Sequence, residues 1–168
     1  MHPKDRQWAV AYAKQALSDL NARDILALEG AEKCQRLHFL QMAAEKVCKA
    51  HLVNANGHDN VRKTHAYVAK NLPIIARQFY SANSDDNQIA RWAVKEVKHL
   101  AREIEFLAPA SDDSGLRPDN SEYPWDDAKG KVQVPCEFTF PNIDDSAKNL
   151  SIVRLIKLMR AAAETYAT

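Results

Sequence analysis

A seventeen-residue stretch, RLHFLQMAAEKVCKAHL from Arg36 to Leu52, does most to limit what this chain can become. Its apolar residues Leu37, Leu40, Ala43, Ala44, Val47 and Cys48 recur at helical spacing and form one broad stripe. It holds no Gly or Pro and few β-branched residues, so intrinsic propensity agrees with the pattern. The spacing therefore predicts an uninterrupted helix over about 31–53, and the other elements are arranged around it.

The first amphipathic helix is expected from Asp5 to Leu20, with Trp8, Ala11, Tyr12, Gln15, Ala16, Leu17 and Leu20 at helical spacing and Pro3 just outside. Asn21 and Asp24 are cap residues, so Ala22 to Leu28 reads as a short continuation after a kink, stopped at Gly30. Asn54 to Asn60, NANGHDN, reads as a turn. A third helix from Val61 carries Val68, Leu72, Ile75 and Phe79, and Pro73 should kink or split it with Asn71 capping a new start. Ser84 caps a fourth helix that runs to Leu107, and a last helix spans Asp145 to Tyr166.

Between these last two helices the composition changes. Residues 108–144 hold five of the seven prolines and two of the four glycines, and loops of this length in compact domains are often functional. Within it KVQVPCEFTF, Lys131 to Phe140, alternates as a strand does, but Pro135 limits it to an edge strand or small hairpin. The fold class is all-α, one domain over 1–168: an antiparallel four- to five-helix bundle with a long irregular loop before its last helix.

At 168 residues, 46% hydrophobic and 27% charged, the chain can bury a full core without staples, and a net charge of +1 argues against a generic polyanion binder. Three scattered cysteines and no secretory or membrane-spanning signature give a cytoplasmic reading with no membrane partner.

Several residues carry a resemblance: AYAKQALSDLNARDIL (Ala11 to Leu26), FLQMAAEKVCKAHL (Phe39 to Leu52), THAYVAKNL (Thr64 to Leu72) and the later SEYPW (Ser121 to Trp125). In these the chain resembles the HEPN family of small helical-bundle domains, whose Glu-Lys-x-x-Lys-Ala-x-Leu run appears here as Glu45, Lys46, Lys49, Ala50 and Leu52, followed by His65. SEYPW is similar to the family's Arg-Tyr-Pro loop, with Glu122 in place of the usual Arg. The resemblance implies a helical bundle, often a homodimer, in toxin–antitoxin, defence or nucleotidyltransferase-associated systems. Active members are metal-independent ribonucleases that use an Arg and a His four to six residues apart. Here Arg62 stands three residues before His65 and Arg91 eight before His99, which departs from that pattern.

Candidate residues follow from both lines. His65 with Arg62 is the candidate catalytic pair of a divergent ribonuclease, with a half-buried helix-face histidine as its plain alternative. Arg36 and His51 fall on the apolar stripe and could line a pocket or dimer seam, or bury only their stems at the bundle rim. Arg117, Asp119, Asn120, Glu122, Tyr123 and Trp125 make the loop either a ligand-facing lid or a plug in which Tyr123 and Trp125 close the bundle end. Lys46, Lys49, Lys95, Lys98 and Arg102 offer a basic face for RNA, but interleaved Glu45, Glu96, Glu103 and Glu105 favour helical ion pairing. Cys34 with His38 and Cys48 with His51 have ligand spacing but project from different sides of the helix, so no metal is assigned. Glycine-rich phosphate loops, Gly-x-Ser-x-Gly and His-Glu-x-x-His do not occur, so no cofactor is implied. The reading is a non-catalytic HEPN-like domain that binds RNA, a nucleotide or an operon-encoded partner protein. A divergent ribonuclease acting at a dimer interface and a purely structural bundle are its alternatives.

Overall fold

The computed structural model describes residues 2–61, 68–83, 87–109 and 118–168, except the side chains of 54–55, 83, 87–90 and 92–93. α1 runs unbroken from Pro3 to Leu28, where the sequence predicts a kink. Both expected cap side chains are engaged from outside: Arg160 donates to Asn21 Oδ1 at 2.8 Å and to Asp24 Oδ2 at 2.9 Å. An oxygen turned out to a guanidinium does not compete for helix N–H groups. Pro3 is the first helical residue rather than a flank, a place where its missing N–H costs nothing. Gly30 does stop the helix, at φ +67°, with the Ala31 N–H donating to Leu26 O at 2.9 Å.

α2 spans Lys33–Asn56, and the expected turn over 54–60 narrows to Gly57 at φ +72° before a single-turn α3, His58–Val61. α4, Val68–Asn83, carries Pro73 inside without being split, and Asn71 is buried rather than capping a new start. Val68, Leu72, Ile75 and Ala76 are all buried around the proline, so packing on both sides outweighs one lost hydrogen bond. α5 spans Asn87–Glu105, two residues short of the expected end, and the position of Ser84 lies outside the described residues. α6 spans Leu150–Ala167, capped by Asn149, whose Oδ1 accepts the Ser151 N–H at 3.1 Å. The start expected at Asp145 is thus five residues early, and Leu150 is exposed as the first helical residue.

The 108–144 segment contains a small antiparallel hairpin, β1 (Trp125–Asp126) with β2 (Val132–Gln133), pairing Trp125 with Gln133 and Asp126 with Val132. The expected strand ends at Gln133, because Val134 caps a 3-10 turn that Pro135 begins over Pro135–Glu137.

Cross-contacts give the helix directions. Asp5 meets His58 and Asp19 meets Lys46, so α1 and α2 are antiparallel. Arg6 reaches Thr168 while Arg160 reaches Asn21, so α1 and α6 are antiparallel as well. Arg36 meets Asp145 and His51 meets Tyr166, which sets α6 parallel to α2. α2 touches each of the other helices and is buried nearly all round from Leu37 to Ala50. α1 packs on it through the small residues Ala9, Ala13 and Ala16, with Leu20, since alanines let the axes approach closely. Ala16 and Leu20 are on the expected stripe, whereas Ala9 and Ala13 lie one position round from Trp8 and Tyr12. No described helix is long and apolar enough to cross a membrane.

Candidate functional site

Residues 118–123 are tied down residue by residue. The Ser121 N–H and Oγ both donate to Leu107 O, at 2.9 and 3.2 Å. Asn120, only 5% exposed, accepts the Glu122 and Tyr123 N–H groups on Oδ1 at 2.9 and 2.7 Å and donates to Pro118 O at 3.1 Å. This is an Asx turn, and Pro124 after it holds the Tyr123 backbone in extended conformations. Tyr123 nevertheless stays 61% exposed. Trp125 does the opposite: it is half-buried and sits edge-to-face on Phe138 at 5.1 Å, against the core. The segment is neither wholly lid nor wholly plug, because its two aromatics face different surroundings.

Tyr123 and Glu122 form one wall of a cleft of about 430 Å³, and Leu26, Gln35, His38 and Phe39 form the other. The His38 Nδ1 is buried without a hydrogen-bond partner and lies 3.6 Å from Glu122 Oε1, a separation that becomes an ion pair only when the ring is protonated. His38 also lies edge-on to Phe39 at 5.5 Å. The cleft thus combines an uncovered aromatic with an amide, an imidazole and a carboxylate, which can stack on a planar ligand and bond to its edge. Sequence reasoning placed His38 only beside Cys34, since its neighbour Glu122 is far along the chain.

Arg36 has a definite partner. It grips Asp145 with Nε to Oδ2 at 2.8 Å and Nη2 to Oδ1 at 3.1 Å, and its Nη1 donates to Ala31 O. The pairing raises the guanidinium above its ordinary value, mainly through the hydrogen bond to Asp145. Arg36 therefore ties the start of α2 to the segment leading into α6, away from the cleft lining.

His51 is half-buried, with Nδ1 3.0 Å from the Tyr166 hydroxyl, and burial lowers its pKa. A lowered base is neutral in the fold, while the unfolded chain takes up the proton from about pH 6.5 downward. Stability is therefore lost as pH falls from there towards the folded value. His51→Gln should give a shallower fall of the thermal midpoint between pH 7 and 5 than wild type, read by circular dichroism. Equal slopes would show that His51 does not contribute.

Lys46 and Lys49 do not form an outward basic face. Lys46 Nζ meets Asp19 at 2.7 Å and Lys49 Nζ meets Glu45 at 2.7 Å, and both lysines are largely buried. Cys48 is fully buried and its thiol is pushed far up by desolvation; Cys34 is raised for the same reason. Among the described residues no three His, Cys, Asp or Glu side chains converge as a metal site. Asp119 lines a different cleft, beside Trp125. His65, Arg62 and Arg117 lie outside the described residues. Compared with known proteins, the chain matches no family model, no curated protein and no solved structure.

Proposed function

We propose that the chain is a non-catalytic HEPN-like domain that binds single-stranded RNA or a nucleotide, seating one base in the cleft between Tyr123 and Phe39, and acts as a homodimer in a cytoplasmic defence or toxin–antitoxin setting. The observation that carries the binding reading is Tyr123: its backbone is fixed by the buried Asn120 while its ring is left uncovered at a cleft edge. With the backbone already held, such a ring stacks on a base at the cost of its own rotamer freedom alone. Aromatic stacking is how single-stranded nucleic acids are usually held. Gln35, His38 and Glu122 supply the edge contacts. A carboxylate there accepts from base N–H groups and disfavours phosphate, so the base rather than the backbone enters. The setting and the dimer rest on the family resemblance alone, an argument by analogy.

Fluorescence anisotropy with a labelled single-stranded RNA tests the reading. Stacking contributes about 1–3 kcal/mol per base, so Tyr123→Ala should weaken binding by roughly 5- to 150-fold while Tyr123→Phe stays near wild type. The thermal midpoint should not move, because the ring is mostly exposed. Absence of RNA and nucleotide binding by the wild type would overturn the function, and binding indifferent to Tyr123 would remove the cleft from it. RNA cleavage that persists in chelator and vanishes in a folded His65→Ala variant would replace this reading with the ribonuclease one.

A further inference from the structure

We infer that the cleft between Tyr123 and Phe39 is a guanine site, with the Glu122 carboxylate telling guanine from the other bases. The inference rests on the base-binding reading above and adds the identity of the base. Glu122 and Tyr123 are neighbours in the chain, yet both line this cleft of about 430 Å³. The bend brings this about: Asn120 Oδ1 collects their two N–H groups at 2.9 and 2.7 Å, which fixes both residues beside the cleft. The facing wall is one side of α2, where His38 and Phe39 follow Gln35 by three and four residues. A base lying against the Tyr123 ring therefore has its edge at the neighbouring carboxylate.

That carboxylate is open. Glu122 Oε1 lies 3.6 Å from His38 Nδ1, beyond a hydrogen bond, and the Glu122 side chain keeps 25% of its surface in solvent. Among the described residues nothing donates to either of its oxygens. His38 Nδ1 is itself buried without a partner, so two polar groups stand side by side and neither satisfies the other. Buried polar atoms in folded chains are nearly always paired, and a partner from outside the chain is what this corner of the cleft lacks.

An ionised carboxylate only accepts, on two adjacent oxygens. Its best partner is a base edge with two adjacent N–H donors, which it holds with two parallel bonds. Guanine alone has such an edge, N1–H beside the N2 amino group. In adenine and cytosine the amino group stands next to a ring-nitrogen lone pair, and in uracil N3–H stands between two carbonyls. Each of these offers one donor and sets an acceptor against the second carboxylate oxygen. Guanine O6, next to N1, needs a donor in turn, and the Gln35 amide on the facing helix can give one. The same edge is presented by a free guanosine nucleotide and by an unpaired guanine in RNA.

Anisotropy titration of the full chain with labelled adenine-tract RNAs, differing only in one central base, tests the inference. Central guanine should bind about 5- to 20-fold tighter than adenine, cytosine or uracil, the lower part of the range for a two-bond base contact. Hypoxanthine, which lacks the N2 amino group, should lose most of that gain. Glu122→Gln, whose amide carries one donor and one acceptor, should abolish the preference without moving the thermal midpoint. Displacement by guanosine but not adenosine monophosphate supports the site with a free nucleotide as its source. A guanine preference confined to RNA supports it with a strand as its source. Equal affinity for every central base, each still weakened by Tyr123→Ala, would overturn the guanine assignment and leave the base-binding reading standing. No binding of any RNA or nucleotide would overturn both. A preference unchanged in folded Glu122→Gln would also overturn it, since another group would then read the base.

Discussion

Asp145→Ala should lower the stability of the fold by about 3–5 kcal/mol, because it removes the two-bond acceptor of the largely buried Arg36 guanidinium and a nearby counter-charge of Arg23. The Asp145 side chain is 5% exposed, and those of Arg23 and Arg36 are 11% and 21% exposed. Arg36 holds the carboxylate with two parallel bonds of 2.8 and 3.1 Å, the geometry in which a planar guanidinium binds most strongly. Arg23 donates to the Asp145 carbonyl at 2.9 Å and lies 4.0 Å from its Oδ2, while its own Nε is buried with no partner. An arginine cannot escape an unpaired burial by losing its proton. The cost of the variant is therefore mainly the stranded Arg36 charge, since Arg23 keeps the backbone carbonyl of residue 145 and its 3.0 Å pair with Asp24. For a chain of this size that is a fall of roughly 10 °C in the thermal midpoint. Arg36→Ala should cost less, since Asp145 keeps Arg23 close by. Urea unfolding with an unchanged denaturant slope checks both, and a loss below about 1 kcal/mol for Asp145→Ala would mean that water reaches the cluster and screens it.

The same cluster shows where the sequence is silent. Arg36 stands out on an apolar stripe, but its partner lies more than a hundred residues on, and no local pattern points to Asp145. The helices themselves were legible because burial repeats with the helical period: Leu37, Leu40, Ala44, Val47 and Cys48 in α2, and Val97, Leu100 and Ile104 in α5 are all core. Cap residues misled where a distant side chain claimed them, as Arg160 does with Asn21 and Asp24. Pro73 misled because the propensity argument does not weigh the burial around it. In the candidate site, the Asx turn at Asn120 follows from residue type. That the turn leaves Tyr123 uncovered while Trp125 is packed depends on the hairpin register and on Phe138, which composition does not reveal. The cleft partner His38 was hidden for the same reason: one helical turn beyond Cys34, it is a cleft residue only because the 120–125 loop returns to it.

Lys49 is the residue whose local setting most changes its meaning, and Lys49→Ala should cost about 3–5 kcal/mol. Its side chain is 7% exposed, bonded at 2.7 Å to a Glu45 carboxylate that is itself 10% exposed, with the Tyr12 ring 5.9 Å from the ammonium. Gln41 Nε2 also reaches Glu45, at 3.3 Å, but its Oε1 is buried without a partner, so the cluster has little slack to absorb a change. Removing the ammonium leaves a negative charge in a poorly solvated place. Restoring the stem as Lys49→Met should recover the packing part of the loss but not the charge part. Replacing both residues, as Glu45→Leu with Lys49→Met, removes the stranded charge and should be less damaging than Lys49→Met alone. The difference is reduced because Gln41 Nε2 then loses its Glu45 acceptor. A double-mutant cycle by urea unfolding gives that coupling directly. The same variant separates a core role from a nucleic-acid role. A lysine on a phosphate-facing surface lowers RNA affinity and flattens its salt dependence when it is lost. For Lys49→Met, assayed well below its thermal midpoint, RNA affinity and salt slope should both equal those of wild type. A reduced slope would mean that the ammonium reaches phosphate in the bound state, and that the Glu45 pair opens when RNA binds.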